Sequence, residues 1–281
     1  MTSGAGTLFV VGTPIGNLED ITLRAVRVLG QVDLVAAEDT RSARALLSHL
    51  GLGCETMSFF AGNEARRTEQ VLERLRRGAQ VALISEAGMP GISDPGERLV
   101  RRCIEEQLPV DVVPGPSAVL SALVISGLPT SRFMFLGFLP RTGRRRDEVL
   151  APLRHDPSTL VLYESPRRVG KTLLELSRQL GDRPAAVVRE LTKVHQEVVR
   201  EPLSALARRY ESVPPRGEVT LVVGPGEVAL DDEATLQEEI LSRLERGDSP
   251  RAIADELAGP HGRRRVYQQT LALRAGLTGS S

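Results

Sequence analysis

Short apolar runs recur along the first part of the chain, each followed by a turn and then by a helical period. Leu8–Gly12 (LFVVG) is β-prone and ends in glycine; Thr13-Pro14-Ile15-Gly16-Asn17 turns the chain, and Leu23, Val26 and Leu29 then repeat at helical spacing. Val32–Ala37 stops at Glu38-Asp39-Thr40-Arg41, and a helix follows through Leu46, Leu47 and Leu50 to Gly51. A helix over 64–77 precedes a strand over 80–84, the loop 85–96 precedes a helix over 97–107, and a strand over 110–113 precedes Pro114-Gly115-Pro116-Ser117 and another helix. Regular βα alternation with short buried strands predicts a parallel α/β sheet. Polar, glycine-rich loops fall at the C-terminal strand ends, at 12–17, 38–41, 85–96 and 114–117, where open α/β sheets bind ligands.

The texture changes after about residue 128. Strands near 133–138, 159–163, 185–189, 196–200 and 219–223 with helices between them predict a second α/β domain with a mixed sheet. From 229 onward the pattern is helical only: an acidic helix at 231–246, Ser249-Pro250 opening 250–258, the turn Gly259-Pro260-His261-Gly262, and 263–275, a helix-turn-helix spacing. The expected parts are therefore an N-terminal α/β domain (1–118), a second α/β domain (119–228) and a C-terminal helical module (229–281).

With 281 residues, 41% hydrophobic and 26% charged, the chain has the composition of a globular protein rather than of a fibrous or disordered one. It has no apolar run long enough for a membrane span, and its first residues lack the pattern of a signal peptide, so a cytoplasmic location is expected. Cys54 and Cys103 stand far apart without a histidine cluster, which suggests neither a zinc site nor a disulfide framework, and no metal-ligand constellation occurs elsewhere. The formal net charge is zero, so the overall balance gives no reason to expect nucleic acid. The distribution does, because Arg141, Arg144, Arg145 and Arg146, and Arg263, Arg264 and Arg265, form local basic patches. All basic residues except Lys171 and Lys193 are arginine, which draws attention to two amines whose pKa can shift.

The loop 12–17 is neither GxGxxG nor GxxxxGK[ST], so dinucleotide and NTP binding are poorly supported. The segment Ser85–Gly96 (SEAGMPGISDPG) is more informative. Three glycines, two prolines and two acids directly after a buried strand make a long shaped loop, rich in backbone groups and without cations. It suits a neutral or cationic ligand better than a polyphosphate. Ser117 fits either that site or the cap of the next helix.

GTPIGNLEDIT (12–22), AEDTRSARALL (37–47), ISEAGMPGISDPG (84–96), VPGPSAV (113–119), FLGFLPR (135–141), YESPRR (163–168), RELTK (189–193) and GEVTLVV (217–223) together resemble the ribosomal RNA small-subunit methyltransferase I family. The resemblance is collinear over about 8–223 and continues into the C-terminal helices. It implies a tetrapyrrole-methylase fold with the active site in the cleft between two α/β domains, a homodimer, and S-adenosyl-L-methionine-dependent 2′-O-methylation of a cytidine in the decoding region of 16S rRNA. Glu86 departs from the family's usual aspartate, Met89 from threonine, and Val194-His195-Gln196 from the usual continuation after RELTK.

On that resemblance the cofactor is expected against Pro14, Gly16, Glu86, Gly88, Met89, Pro90, Pro116 and Ser117, with the Glu86 carboxylate serving ribose hydroxyls or the sulfonium. Methyl transfer from a sulfonium to a hydroxyl is an in-line displacement, needing alignment and removal of a proton from a very weak acid. Lys193 is the candidate base if its surroundings lower its pKa, with a phosphate contact as its other reading; Glu190 and Asp39 are the rivals. Arg41, Arg167 and Arg168 are candidate RNA-backbone contacts, as are Arg144, Arg145 and Arg146, read as three adjacent guanidiniums on a glycine-containing loop. Two other functions fit parts of the pattern: a small-molecule methyltransferase of the tetrapyrrole type, and a regulator binding nucleic acid through the C-terminal helices.

Overall fold

The structure is a computed structural model and describes residues 4–141, 143–226, 230–258 and 262–278. The first sheet contains β1 (Leu8–Val11), β2 (Leu34–Ala37), β3 (Glu55–Ser58), β4 (Val81–Ile84) and β5 (Val110–Val113), in the order β3-β2-β4-β1-β5. All its pairings are parallel, as the unalternating apolar runs require. Every residue of β2 and β4 is buried because helices cover both faces. α1 (Leu23–Leu29) and α2 (Thr40–His49) bring Ala25, Leu29 and Leu47 to one face; α3 (Glu64–Arg76) and α4 (Glu97–Glu105) bring Leu72, Leu75 and Cys103 to the other. Strand β3 has no counterpart in the sequence reading. Its four residues, ETMS, carry no β-rich apolar run, and as an edge strand it needs none.

α5 (Ala118–Ser126) leaves β5 but packs against the second sheet, where Val119, Ala122 and Leu123 meet Val161, Val188 and Val222. Helix α5 is apolar at nearly every position, with one side packed on the sheet and Leu120 and Val124 left exposed on the other. The second sheet contains β6 (Phe133–Phe138), β7 (Thr159–Glu164), β8 (Pro184–Arg189), β9 (Glu197–Pro202) and β10 (Val219–Val223), in the order β6-β7-β10-β8-β9. It is mixed: β6 and β7 are parallel and the other pairings antiparallel. Its far face is covered by α6 (Arg144–Leu150), α7 (Val169–Leu180) and α8 (Leu203–Arg209), through Leu150, Leu173, Leu176 and Leu206. Helix α6 corrects one expectation, since Arg144, Arg145 and Arg146 open a helix after Gly143 rather than lying on a loop.

These two sheets belong to one compact unit, residues 4–154 and 158–225. Residues 155–157 and the described residues from 226 onward form another, with α9 (Leu230–Glu245), α10 (Pro250–Glu256) and α11 (Arg263–Thr278). Its core joins Leu236, Ile240, Ile253, Ala254 and Val266. Ser249 caps α10 by accepting from the Ala252 N–H at 3.2 Å, and Pro250 occupies the first turn, where its missing N–H costs nothing. The turn residues Gly259, Pro260 and His261 lie outside the described residues.

Candidate active site

Strand β1 lies between β4 and β5, so the loops that follow these three strands leave the sheet side by side. They interlock through the backbone. The Thr13 N–H donates to Gly88 O at 2.9 Å and the Gly88 N–H returns to Thr13 O at 3.1 Å. The Thr13 hydroxyl reaches Ser85 O at 3.3 Å, and the Gly12 N–H reaches Val113 O at 2.9 Å. A Cβ on Gly12 would stand 2.7 Å from the Gly115 Cα, so these two loops touch only because both residues are glycine. Gly88 (φ +79°) and Gly91 (φ +81°) supply the left-handed turns of the 85–96 loop, and Ser93 adopts φ +64° without being glycine.

A cavity of about 670 Å³ opens from these loops towards the second sheet. Glu86, Gly88, Met89 and Ser117, four of the expected cofactor contacts, line it, and Ser117 also caps α5, accepting from the Leu120 N–H at 3.4 Å. Three acids of its lining, Glu38, Glu86 and Asp94, lie close enough to act on one another, and no Lys, Arg or His is among its lining residues; the Glu164 carboxylate is instead buried against Thr172 and Arg168, and that of Glu218 is paired with Lys193. The electrostatic cost is visible in two of the three. Burial, then Asp94 and Glu86, push the Glu38 carboxyl above its usual range; burial, then Glu86, push Asp94 up against an opposing hydrogen bond from Ser85. A cation is the natural complement of such a wall.

The other proposed cofactor positions do not line the cavity. Pro14 is buried within the first loop, Pro90 faces a separate shallow groove beside α4, and Pro116 presents its carbonyl towards Gly88. Gly16 lies against the RELTK segment, where a Cβ would stand 2.7 Å from Lys193 Cγ and 2.9 Å from Leu191 O.

Lys193 sits between two acids, its Nζ donating to Glu190 at 3.0 Å and to Glu218 at 2.9 Å. Burial pulls its pKa down, but the hydrogen bonds and charges of the two carboxylates outweigh burial and the net displacement is upward. The lowered pKa that a base role requires is therefore not found. Glu190, held at φ +50°, accepts from the Glu218 N–H at 3.0 Å and from Lys193, which keep its carboxyl below the usual range. Gly217 opposite it has no room for a side chain, since a Cβ would fall 2.1 Å from Glu190 Oε1. Asp39 caps α2 by accepting from the Arg41 N–H at 2.7 Å and pairs with the Arg41 guanidinium at 3.0 Å, whose hydrogen bond lowers its pKa. Both rival carboxylates are thus engaged and weakly basic.

Among the arginines, Arg145 and Arg167 are exposed, Arg41 is exposed beside Asp39, and Arg144 pairs with Glu148 at 2.8 Å. Arg146 is only 7% exposed and donates to Arg141 O at 3.1 Å, so it is turned away from any external phosphate. Arg168 is half-buried and tied to the Glu164 carboxylate at 3.2 Å and to Leu139 O at 3.0 Å. Sequence reasoning singled out the loops 38–41 and 85–96 but gave no cofactor-site role to Glu38 or Asp94 within them, and it passed over Phe138, Tyr163, Glu164 and Glu218; all six are cavity residues. Their signal was present, since each stands inside a motif that carried the resemblance.

The family described as Tetrapyrrole (Corrin/Porphyrin) Methylases matches residues 7–207. A protein of Thermotoga maritima named Ribosomal RNA small subunit methyltransferase I is 46% identical over 218 residues, 78% of this chain and 98% of its own. One of the same name from Synechocystis sp. is 41% identical over 278 residues, covering 96% and 99%. Among solved structures, uroporphyrin-III C-methyl transferase from Thermus thermophilus complexed with S-adenyl homocysteine superposes with TM-score 0.56 at 25% identity, over 78% of this chain and 97% of that one. Diphthine synthase shares the fold with TM-score 0.62 at 15% identity, over 78% and 89%.

Proposed function

The chain belongs to the ribosomal RNA small subunit methyltransferase I family within the tetrapyrrole methylases, and from that premise we propose that it transfers a methyl group from S-adenosyl-L-methionine to the ribose 2′-hydroxyl of a cytidine in the decoding region of 16S rRNA. The observation that carries this reading is the 41% identity to the Synechocystis protein, which extends across 278 residues and so includes the C-terminal helices as well as the cleft. A tetrapyrrole substrate does not account for that extent.

The cleft fits the cofactor by shape and charge. Bound there, S-adenosylmethionine would supply a sulfonium methyl group whose carbon the 2′-oxygen attacks, with S-adenosylhomocysteine as the leaving group and the hydroxyl proton passing to solvent. Glu86, Gly88, Met89 and Ser117 are proposed to hold it, with Gly12, Gly115 and Thr13 fixing the loops around it. The carboxylates of Glu38 and Asp94 are placed to favour a cationic ligand over a neutral one. Lys193, held as an ammonium by Glu190 and Glu218, suits holding the RNA better than taking its proton. Exposed Arg41, Arg145 and Arg167 are assigned to the RNA backbone.

The enzyme is further proposed to work as a cytoplasmic homodimer. Val124 on α5 and Leu23 on α1 stand exposed as apolar side chains, which supports a covered surface. No helix among the described residues is long and apolar enough to cross a membrane. The test is mass-spectrometric mapping of ribose methylation in 16S rRNA from a strain lacking this protein and from the complemented strain. Expected is one cytidine 2′-O-methyl group lost and restored; an identical methylation map in both strains overturns the proposal.

A further inference from the structure

The chain is poor in aromatics, with six Phe, three Tyr and no Trp, yet three of them meet at one edge of the cleft. The Phe135 and Tyr163 rings lie 5.0 Å apart at 71°, and the Phe138 and Tyr163 rings 5.6 Å apart at 55°. Two residues three apart on a regular strand point to opposite faces of the sheet. Here both reach Tyr163 because β6 is bulged: the register runs Phe135↔Val161 and then Phe138↔Tyr163, three steps along one strand against two along the other. Gly137, at φ +60°, takes the turn this demands, and a Cβ there would stand 3.4 Å from Ser93 Oγ of the opposite wall. Gly137 and Ser93, both left-handed, thus bring the two walls together where Phe138 is turned into the cleft.

Phe138 remains 58% exposed and belongs to none of the hydrophobic cores, whereas Phe135 and Tyr163 pack against the core beneath α5. Core packing therefore accounts for Phe135 and Tyr163 and leaves Phe138 unexplained. What singles it out among the exposed aromatic side chains is that it lines the cavity, where a ligand in the cleft can cover its ring. The loops assigned to the cofactor leave the first sheet, and Phe138 stands on the second, across the cavity.

We infer that Phe138, backed by Tyr163, is a stacking platform for an unpaired nucleobase of the RNA substrate, holding the nucleotide whose ribose is presented to the cofactor. Proteins that read single-stranded RNA stack splayed bases on such rings, and the aromatic face tolerates any base while orienting the attached ribose. The inference rests on the rRNA methyltransferase reading above.

Phe138→Leu and Phe138→Trp test it, with small ribosomal subunits from a strain lacking the protein as substrate. Phe138→Leu keeps an apolar side chain without the π-face. It is expected to lower kcat/KM for RNA by roughly tenfold or more, mostly through KM, with affinity for S-adenosylhomocysteine unchanged. Phe138→Trp is expected to restore most of the loss. Because the chain has no tryptophan, Phe138→Trp also carries its own fluorescent reporter, which a single-stranded cytidine-rich RNA oligonucleotide should quench and S-adenosylhomocysteine alone should not. Wild-type kinetics in Phe138→Leu overturn the platform, as does quenching by S-adenosylhomocysteine alone or by neither ligand. Absence of RNA methylation by the wild-type protein is a different failure, that of the underlying function, and the fluorescence reads the platform independently of it.

Discussion

Gly12 and Gly115 meet backbone to backbone: a Cβ on Gly115 would stand 2.9 Å from the Gly12 Cα. The contact joins the loop after β1 to the loop after β5, whose Gly115 lines the proposed cofactor cavity. No rotamer relieves a Cβ pressed against main chain, so Gly115→Ala must separate the loops. The expected cost is about 1–3 kcal/mol of stability, as for other overpacked sites. Affinity for S-adenosylhomocysteine should fall by roughly tenfold or more, because the cofactor pocket is defined by that separation. Thermal melting and calorimetric titration measure the two effects. Normal affinity in a folded Gly115→Ala protein would remove these loops from the site.

Lys193 gives a prediction with the opposite sign to that of a general base. Its folded pKa is raised, so its contribution to stability is intact below 10.5, the ordinary lysine value, and is lost only as pH rises through the folded value. At neutral pH it is an ammonium. Lys193→Arg, which keeps the charge, should retain most turnover at saturating RNA. Lys193→Ala should raise KM for RNA with a smaller change in kcat. A complete loss of kcat in Lys193→Arg, with cofactor binding intact, would restore the base assignment.

Much of this was legible in the sequence because it depends on period and punctuation. The apolar runs of β1, β2, β4 and β5 fixed a parallel sheet, and the glycines and prolines after them marked the crevice. What escaped depends on long-range context. Strand β3 owes its existence to pairing with β2, not to its own ETMS composition. Arg146 looks like its neighbours Arg144 and Arg145 until the helix turns it inward. The acidic wall joins two separate loops, and no local window shows Glu38 beside Glu86 and Asp94 at one cavity. Lys193 stood out as one of two lysines, but the direction of its shift needed Glu218, 25 positions away, as well as the nearby Glu190.

The arginine run at the start of α6 should separate on mutation. Arg145 is exposed, so Arg145→Ala is expected to change stability by no more than about 0.5 kcal/mol. It should flatten the salt dependence of RNA binding by roughly one phosphate contact. Arg146→Ala removes a buried side chain that reaches Arg141 O, and should destabilise the protein by roughly 1–3 kcal/mol without altering the salt slope. Denaturant titration and filter-binding at several salt concentrations distinguish them. Equal effects of the two variants on both measurements would contradict the burial of Arg146.

The last prediction follows from Glu38 and Asp94, whose carboxyls are pushed up chiefly by burial and then, for Glu38, by Asp94 and Glu86 and, for Asp94, by Glu86. A carboxyl with a raised folded pKa binds its proton more tightly in the folded state than in the unfolded one. Stability therefore falls as pH rises from the ordinary values of 3.8 and 4.5 through the folded values, and at neutral pH the empty cleft carries ionised carboxylates at a cost. A sulfonium ligand reverses that sign, because it favours the ionised form. S-adenosylmethionine should thus bind with proton release and gain affinity as pH rises above 4.5, levelling off once both groups are ionised. S-adenosylhomocysteine, lacking the sulfonium charge, should show a shallower slope. Asp94→Asn separates the two consequences: it should raise the melting temperature of the ligand-free protein at neutral pH while weakening S-adenosylmethionine more than S-adenosylhomocysteine. Calorimetry in two buffers of different ionisation enthalpy counts the protons released. PH-independent binding of both ligands, together with an unchanged melting temperature in Asp94→Asn, would show that these carboxylates do not sense the cofactor's charge.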